Sequence, residues 1–265
     1  MSRRALAFLL FALVVSAGCV RLGFWQLHRL HERRALNAML LDRLSSEPRP
    51  VRDVVRDSAT AGFRRATASG TFDFANEFSL ASRTRQGSPG VNLVTPMHLA
   101  GTDTVVLVNR GWVYAPDAMT ADFARWKEPA DTTVTGYLVA IEPTARGPVS
   151  AATNARVVRH LAFDSLTRRL PYPLAPFLLV ETETSAPAAV PAEPASATAP
   201  AATPARLPLP TLDEGPHLGY AFQWFAFALI GVVGAAFAIR ADRRGALRRG
   251  SHRALKIPRE RHEPM

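Results

Sequence analysis

A chain of 265 residues is long enough for one medium domain plus membrane segments, or for two small soluble domains. Its single cysteine, Cys19, excludes an intrachain disulfide and any paired-cysteine metal site, so a folded domain must be held by its core alone. The net charge of +10 is unevenly placed: Arg240 to Met265 carries nine Arg or Lys against three acids, while Ala35 to Ile239 is almost balanced. Directly after a long apolar run, such a tail reads as a topology signal, and no nucleic-acid partner is expected.

Residues 1–4 form a short basic terminus. Ala5 to Val20 is uncharged and, after Arg21, the apolar pattern resumes through Leu27, which predicts a transmembrane helix over 5–27 with Arg21 snorkelling and Trp25 at the interface. Ser16-Ala17-Gly18-Cys19 resembles the end of a lipoprotein signal, but the apolar stretch continues past the cysteine, so the segment is read as a span. The next residues lack Pro, and a juxtamembrane helix is expected over 28–44, ending where Ser45-Ser46-Glu47-Pro48 begins.

Residues 45–183 predict a mainly β domain. Strands are expected at Arg64–Thr71, Phe72–Phe74, Glu77–Ala81 and Val91–His98, the last two separated by a turn at Gln86–Gly90. Thr104–Asn109 is a continuous apolar run, which suits a strand buried on both faces at the centre of the sheet. Further strands are expected at Thr132–Ile141, Arg156–Leu161 and Phe177–Thr182, with a short helix at Asp164–Leu170. Asn109-Arg110-Gly111 reads as turn chemistry, with Gly111 free to take positive φ and Trp112 returning to an apolar face. The Arg110 fork suits a carboxylate, either within its own domain or on a ligand or partner.

Residues 184–216 are expected to be a linker, since Thr184 to Arg206 holds ten alanines and five prolines in 23 residues. Leu218 to Ile239 is 22 residues without a charge, so 217–239 is a second transmembrane helix and 240–265 its basic tail. That tail places the carboxyl terminus in the cytoplasm. Two spans then place both termini there and the central domain on the opposite, periplasmic side, although the weaker charge bias of the first helix (Arg21, Arg29, Arg33 and Arg34 against Arg3 and Arg4) runs the other way.

His217, Tyr220 and Trp224 fall at i, i+3 and i+7 on one helix face. An imidazole above aromatic side chains offers an iron-porphyrin an axial nitrogen and stacking surfaces; an aromatic belt with a polar helix start explains the same spacing. Trp25 and Arg29 at the end of the first span have an equivalent reading as interface anchors. Nothing resembles a catalytic constellation, and no enzyme is expected.

Leu22-Gly23-Phe24-Trp25-Gln26-Leu27 with Arg29, then Gly70, Thr95-Pro96, Val106 through Val113, Gly136, and His217-Leu218 with Tyr220-Ala221 and Gln223-Trp224-Phe225, together resemble the surfeit locus protein 1 family. The resemblance implies an assembly factor for haem-copper cytochrome c oxidase in the bacterial inner membrane. It would act with the catalytic subunit and other assembly factors, and either hold haem a in passing or stabilise its insertion into that subunit. It also implies His217 as axial ligand with Trp224 and Tyr220 as pocket neighbours; Trp25 is expected to line the lipid side of the same pocket. Gln26, Arg29, Gln223 and Asn109-Arg110-Gly111-Trp112 then serve as structural or partner-facing motif residues. A scaffold that grips an oxidase subunit without touching haem is the competing reading. The Ala/Pro-rich stretch and Asp213-Glu214-Gly215-Pro216 depart from the family pattern.

Overall fold

The computed structural model describes residues 3–57, 59–144, 156–183 and 203–254. The chain divides into two units, residues 1–38 with 212–265, and residues 39–211.

The first unit is a helical pair. Helix α1 runs unbroken from Arg3 to Ser45, joining the predicted span and juxtamembrane helix, and helix α4 spans His217–Ala254. Both are long and apolar enough to cross a membrane, with mean hydropathies of 2.3 and 2.0 over their most apolar windows. Most buried positions within the spans carry small side chains and form a seam: Ala12, Ser16, Cys19 and Gly23 on α1, with Leu30 beyond them, and Ala221, Ala228 and Ala235 on α4. These repeat in steps of three, four or seven residues, the spacing of one helix face, and small side chains there allow the close approach that drives association in lipid. A Cβ on Gly23 would lie 2.6 Å from the Phe225 ring, which also meets Phe24 edge-on at 5.4 Å. Away from the seam the large apolar side chains, such as Phe11, Val14, Phe222 and Ile230, are exposed, as a lipid-facing surface requires. Architecture and composition agree on the expected class: an α+β membrane protein whose apolar helices flank a β-rich domain.

The second unit contains that domain. Strands β2 (Arg65–Phe72), β6 (Asp131–Ala140), β8 (Leu174–Glu181), β5 (Val105–Tyr114) and β4 (Ser88–Leu99) are neighbours in that order. Pairing of β4 with β2 at Gly70–Leu99 then closes them into a barrel. All contacts around the ring are antiparallel except β5 with β8. Strand β3 (Phe78–Arg85) extends the sheet from β4 and carries the two-residue strand β7 (Val157–Val158); the two-residue β1 (Arg49–Pro50) pairs with β2. Gly70 and Gly136 sit where strands come closest, and a Cβ at either would lie 1.9 Å from a neighbouring carbonyl oxygen.

The apolar run in β5 divides between two cores, as a strand buried on both faces demands. Val106 and Val108 join Ala66, Phe72, Met97, Leu138 and Leu179, backed by Val51 and Val54 of α2 (Val51–Val55). Val105 and Leu107 join Phe78, Val94, Tyr137 and Val180, backed by Leu166 of α3 (Phe163–Arg169) and by Leu170.

Several expectations change. The strand expected at Phe72–Phe74 is only the end of β2 followed by a turn, and the one expected at Arg156–Leu161 shrinks to β7. Asn109-Arg110-Gly111 is no turn: β5 continues through it, and pairing with β4 passes from Val94–Asn109 to Leu93–Gly111, leaving Arg110 as the extra residue of a β-bulge. Gly111 does take positive φ, +126°. The Gln86–Gly90 turn is tighter than expected, because β4 already begins at Ser88. The end of the Ala/Pro-rich stretch belongs to the domain: Ala205 pairs with Trp112 through both backbone groups (2.8 and 2.9 Å). The remainder of that stretch, 184–202, and the tail from 255 onward lie outside the described residues, as do residues 145–155.

Candidate functional site

Two polar constructions stand out, one in each unit. In the helical pair, residues 213–216 lead into α4 and are clasped by α1. The Arg34 fork donates to both carboxylate oxygens of Glu214 (2.9 and 2.8 Å), while Arg33 Nε and Asn37 Nδ2 donate to the Asp213 carbonyl (3.0 and 3.2 Å). The Asp213 side chain accepts from the Gly215 amide at 2.9 Å. Of the acids that depart from the family pattern, Glu214 therefore meets an α1 arginine through its carboxylate and Asp213 through its backbone carbonyl, and the Arg34 pair holds the Glu214 carboxyl below its ordinary range. Immediately after this turn, His217 Nδ1 lies 2.9 Å from Gln26 Oε1. An amide oxygen only accepts, so Nδ1 is the donor, and Nε2 has no hydrogen-bond partner among the described residues. Beside the ring is an open cavity of about 410 Å³, lined by Arg29, Glu32, Arg33 and Leu36 from α1 and by 213–215 and His217.

The structure thus brings together His217, Gln26 and Arg29 from the sequence-predicted set. Trp25, Tyr220 and Trp224 do not line that cavity. Trp25 and Tyr220 are about half exposed, Trp224 meets Phe227 edge-to-face at 6.0 Å, and Gln223 is exposed. Their helical spacing carries them round to the apolar surface, which is where an interfacial belt belongs.

The second construction is buried in the barrel. Arg110 has no exposure, yet every edge of its guanidinium is engaged: Nε donates to Thr95 Oγ1 (2.8 Å), Nη1 to the Trp126 carbonyl and to Glu128 Oε2 (both 2.7 Å), and Nη2 to Glu77. The Thr95 hydroxyl in turn donates a hydrogen bond to Glu77 at 2.7 Å. Phe72 and Phe74 cover the guanidinium, whose carbon is 5.7 and 5.2 Å from their ring centres. Glu128 bridges onward to Arg206 (2.5 Å), which also bonds the Arg110 carbonyl and Glu181 at 3.0 Å.

Three carboxylates thus face two guanidiniums. The excess falls on Glu181, whose Oε2 is buried without a partner; burial foremost, reinforced by nearby Glu128 against the pull of Arg206 and Arg110, pushes its carboxyl up to about 7. Asn109 secures the bulge by accepting the Gly111 amide at 3.1 Å, and Trp112 donates to the Arg83 carbonyl at 3.1 Å while its ring covers Gly90. Arg110 is committed within its own domain, so it is a core-forming residue with no fork left for a ligand.

Sequence reasoning missed Glu77, Glu128, Glu181 and Arg206. The signal available was a charged residue inside or beside an apolar strand pattern, as with Glu181 at the end of β8. Among the described residues no group of three His, Cys, Asp or Glu side chains is placed to hold a metal ion.

A family model described as the SURF1 family matches residues 13–229, from within α1 through the barrel to the first turns of α4. The chain belongs to this family. A SURF1-like protein of Monosiga brevicollis is 32% identical over 123 residues, 43% of this chain and 46% of that one. One of Drosophila melanogaster is 32% identical over 119 residues, 39% of this chain and 40% of that protein. Surfeit locus protein 1 of Mus musculus is 28% identical over 117 residues, 39% of this chain and 38% of its own length. Each of these matches spans less than half of the SURF1 relative. Membership of the SURF1 family accounts for the order of the motifs along the chain, and the geometry gives them separate tasks: β-bulge and core for Asn109 to Trp112, helix-end turn and cavity for Gln26, Arg29 and His217.

Proposed function

We propose that this protein assists the assembly of a haem-copper cytochrome c oxidase and holds haem a beside His217 while the catalytic subunit is matured. Family membership supports the assembly role. The observation that carries the haem reading is the hydrogen bond from His217 Nδ1 to Gln26, because it orients the ring and leaves Nε2 as the nitrogen that could ligate iron. The residues fit the group at that atom; the cavity wall itself is of mixed charge, with Arg29 and Arg33 beside Glu32, Asp213 and Glu214, so the fit rests on the histidine nitrogen. They do not supply stacking inside the cavity, so Trp25, Tyr220 and Trp224 are assigned to the lipid-facing rim. Bound haem a would supply a ligand-accepting iron, which His217 would hold; the chain's contribution is to fix the ring of His217 through Gln26.

The protein sits in this proposal in the bacterial inner membrane with both termini cytoplasmic and the barrel periplasmic, as the charge of the tail favours. The test is the absorption spectrum of detergent-purified protein from cells making haem a. Wild type carries haem; His217→Ala loses it; Gln26→Leu weakens its retention by about tenfold or more, the usual loss on removing the partner of a metal-bound histidine. Full haem and an unchanged spectrum in His217→Ala would refute the ligand assignment. Haem-free wild type that copurifies with an oxidase subunit would replace the reading with that of a scaffold.

A further inference from the structure

His217 opens α4, and the first residue of a helix is the one least held by the helix itself, because the first turn lacks its full set of intrahelical bonds. The neighbouring anchors lie on either side of it. On the span side Ala221 is buried, and Phe225 packs against Gly23 and Phe24. On the other side the Tyr220 amide donates to the Pro216 carbonyl, and the turn that ends in Pro216 is gripped by α1.

That grip is laid out on the same stripe as the partner of the imidazole. Gln26, Leu30, Arg33 and Asn37 fall at i, i+4, i+7 and i+11, one face of α1, with Arg34 alongside. Over eleven residues the helix is a stiff rod about 16 Å long. It fixes two points relative to each other: the Gln26 amide that accepts from His217 Nδ1, and the donors that hold Asp213 and Glu214. The turn between them has little freedom of its own. Asp213 accepts from the Gly215 amide, Gly215 holds a φ of +72°, and Pro216 has its φ set by its ring. The Nε2 edge of the imidazole lies beside Gly215, where an added Cβ would be 3.4 Å from Cδ2 and 3.5 Å from Nε2. A glycine there leaves the free nitrogen uncrowded.

The side chains of Arg34 and Glu214 are 54% and 48% exposed, and pairs so exposed contribute little to stability. What a planar fork on a carboxylate adds beyond charge is orientation, here through two parallel bonds. The Asp213 carbonyl is likewise met by two donors, from Arg33 and Asn37.

We infer that the clasp of Arg33, Arg34 and Asn37 on residues 213–216 is a positioning device for His217, holding the imidazole in register with Gln26 so that Nδ1 donates and Nε2 stays free. Its purpose rests on the reading of His217 as the haem ligand, but the arrangement itself is set without haem.

The test uses haem-free full-length protein in detergent with ring-nitrogen-labelled histidine, at about pH 8.5, roughly two units above the ordinary histidine value, where the ring is neutral. Long-range proton–nitrogen spectra read which ring nitrogen bears the proton, and the His217 signals are those absent from His217→Ala. Wild type is expected to carry the proton mainly on Nδ1, while Gln26→Leu, which removes the acceptor, gives the ratio of a ring left to its own preference. Arg34→Glu sets two carboxylates against each other and should move the ratio about fivefold toward that of Gln26→Leu, leaving the melting temperature unchanged. The exchanged pair Arg34→Glu/Glu214→Arg should return the ratio to within about twofold of wild type. An Arg34→Glu protein with the wild-type ratio, an exchanged pair no better than Arg34→Glu, or a wild type already at the Gln26→Leu ratio would each overturn the inference. Haem retention is read on a separate preparation, so a wild type that never carries haem refutes the proposed function while the nitrogen ratio still decides the clasp.

Discussion

Replacing Arg110 by methionine tests whether the barrel core is organised around a buried charge. The side chain is fully buried, and its removal leaves Glu77, only 1% exposed, with Thr95 as its remaining hydrogen-bond donor, while Glu128 keeps Arg206. Methionine occupies much of the same volume, so the loss is electrostatic more than steric. Removing one partner of a buried pair costs about 3–5 kcal/mol, because the other charge stays behind without compensation. For a domain of this size each kcal/mol lowers Tm by roughly 2–4 °C, so a drop of about 6–20 °C is expected. The double variant Arg110→Met/Glu77→Leu removes both charges and should recover at least half of that loss, since an apolar replacement of a whole buried pair is often neutral. The assay is the sheet signal in circular dichroism during a thermal melt of the full chain in detergent. A single variant melting within about 2 °C of wild type, or a double variant as unstable as the single, would refute the argument.

Glu181 makes stability depend on pH. Its folded pKa of about 7 lies above the ordinary 4.5, so its favourable contribution is complete below about 4.5 and is lost as pH rises through 7. Wild type should therefore lose on the order of 1–2 kcal/mol between pH 5 and 8, and Glu181→Gln should flatten that slope; equal slopes in the two melts would contradict it. Gly111→Ala places a Cβ 2.5 Å from the Ala205 carbonyl at a φ foreign to L-residues, so Ala205 should come away from Trp112, with a loss of roughly 1–3 kcal/mol. Faster proteolytic cleavage around Ala205 reads this directly, and an unchanged digestion pattern would count against it. Gly23→Ile drives a branched side chain into the Phe225 ring and should lower the melting temperature of the helical signal in detergent, whereas Gly18→Ile, where a Cβ meets nothing, should not.

The two apolar helices were legible because run length is a local property, and so was β5, whose unbroken Val105–Val108 run has no other economical reading. The bulge at Arg110 was not, because Asn-Arg-Gly has the same composition in a turn and in a bulge; only the register of β4, some fifteen residues earlier in the chain, decides between them. Arg206 was hidden for a different reason. The alanines and prolines around it carry no core pattern, and its partners Glu128 and Glu181 become visible only once Ala205 is paired with Trp112. His217 and Gln26 were each singled out from the apolar segment to which they belong. Their hydrogen bond joins residues 191 positions apart, and no periodicity reports on a contact at that range.

The uneven tally of three carboxylates to two guanidiniums also bears on how such a barrel can drift over generations. A lineage that lost Arg110 would strand Glu77, and one that lost Arg206 would leave Glu128 and Glu181 facing each other, so neither arginine has a viable single-step exit. Glu181 is the exception, since the carboxylate in excess can become neutral without orphaning a cation. Among relatives that keep this core, substitution should enter the network at that position first, with Glu77, Glu128, Arg110 and Arg206 changing only in concert.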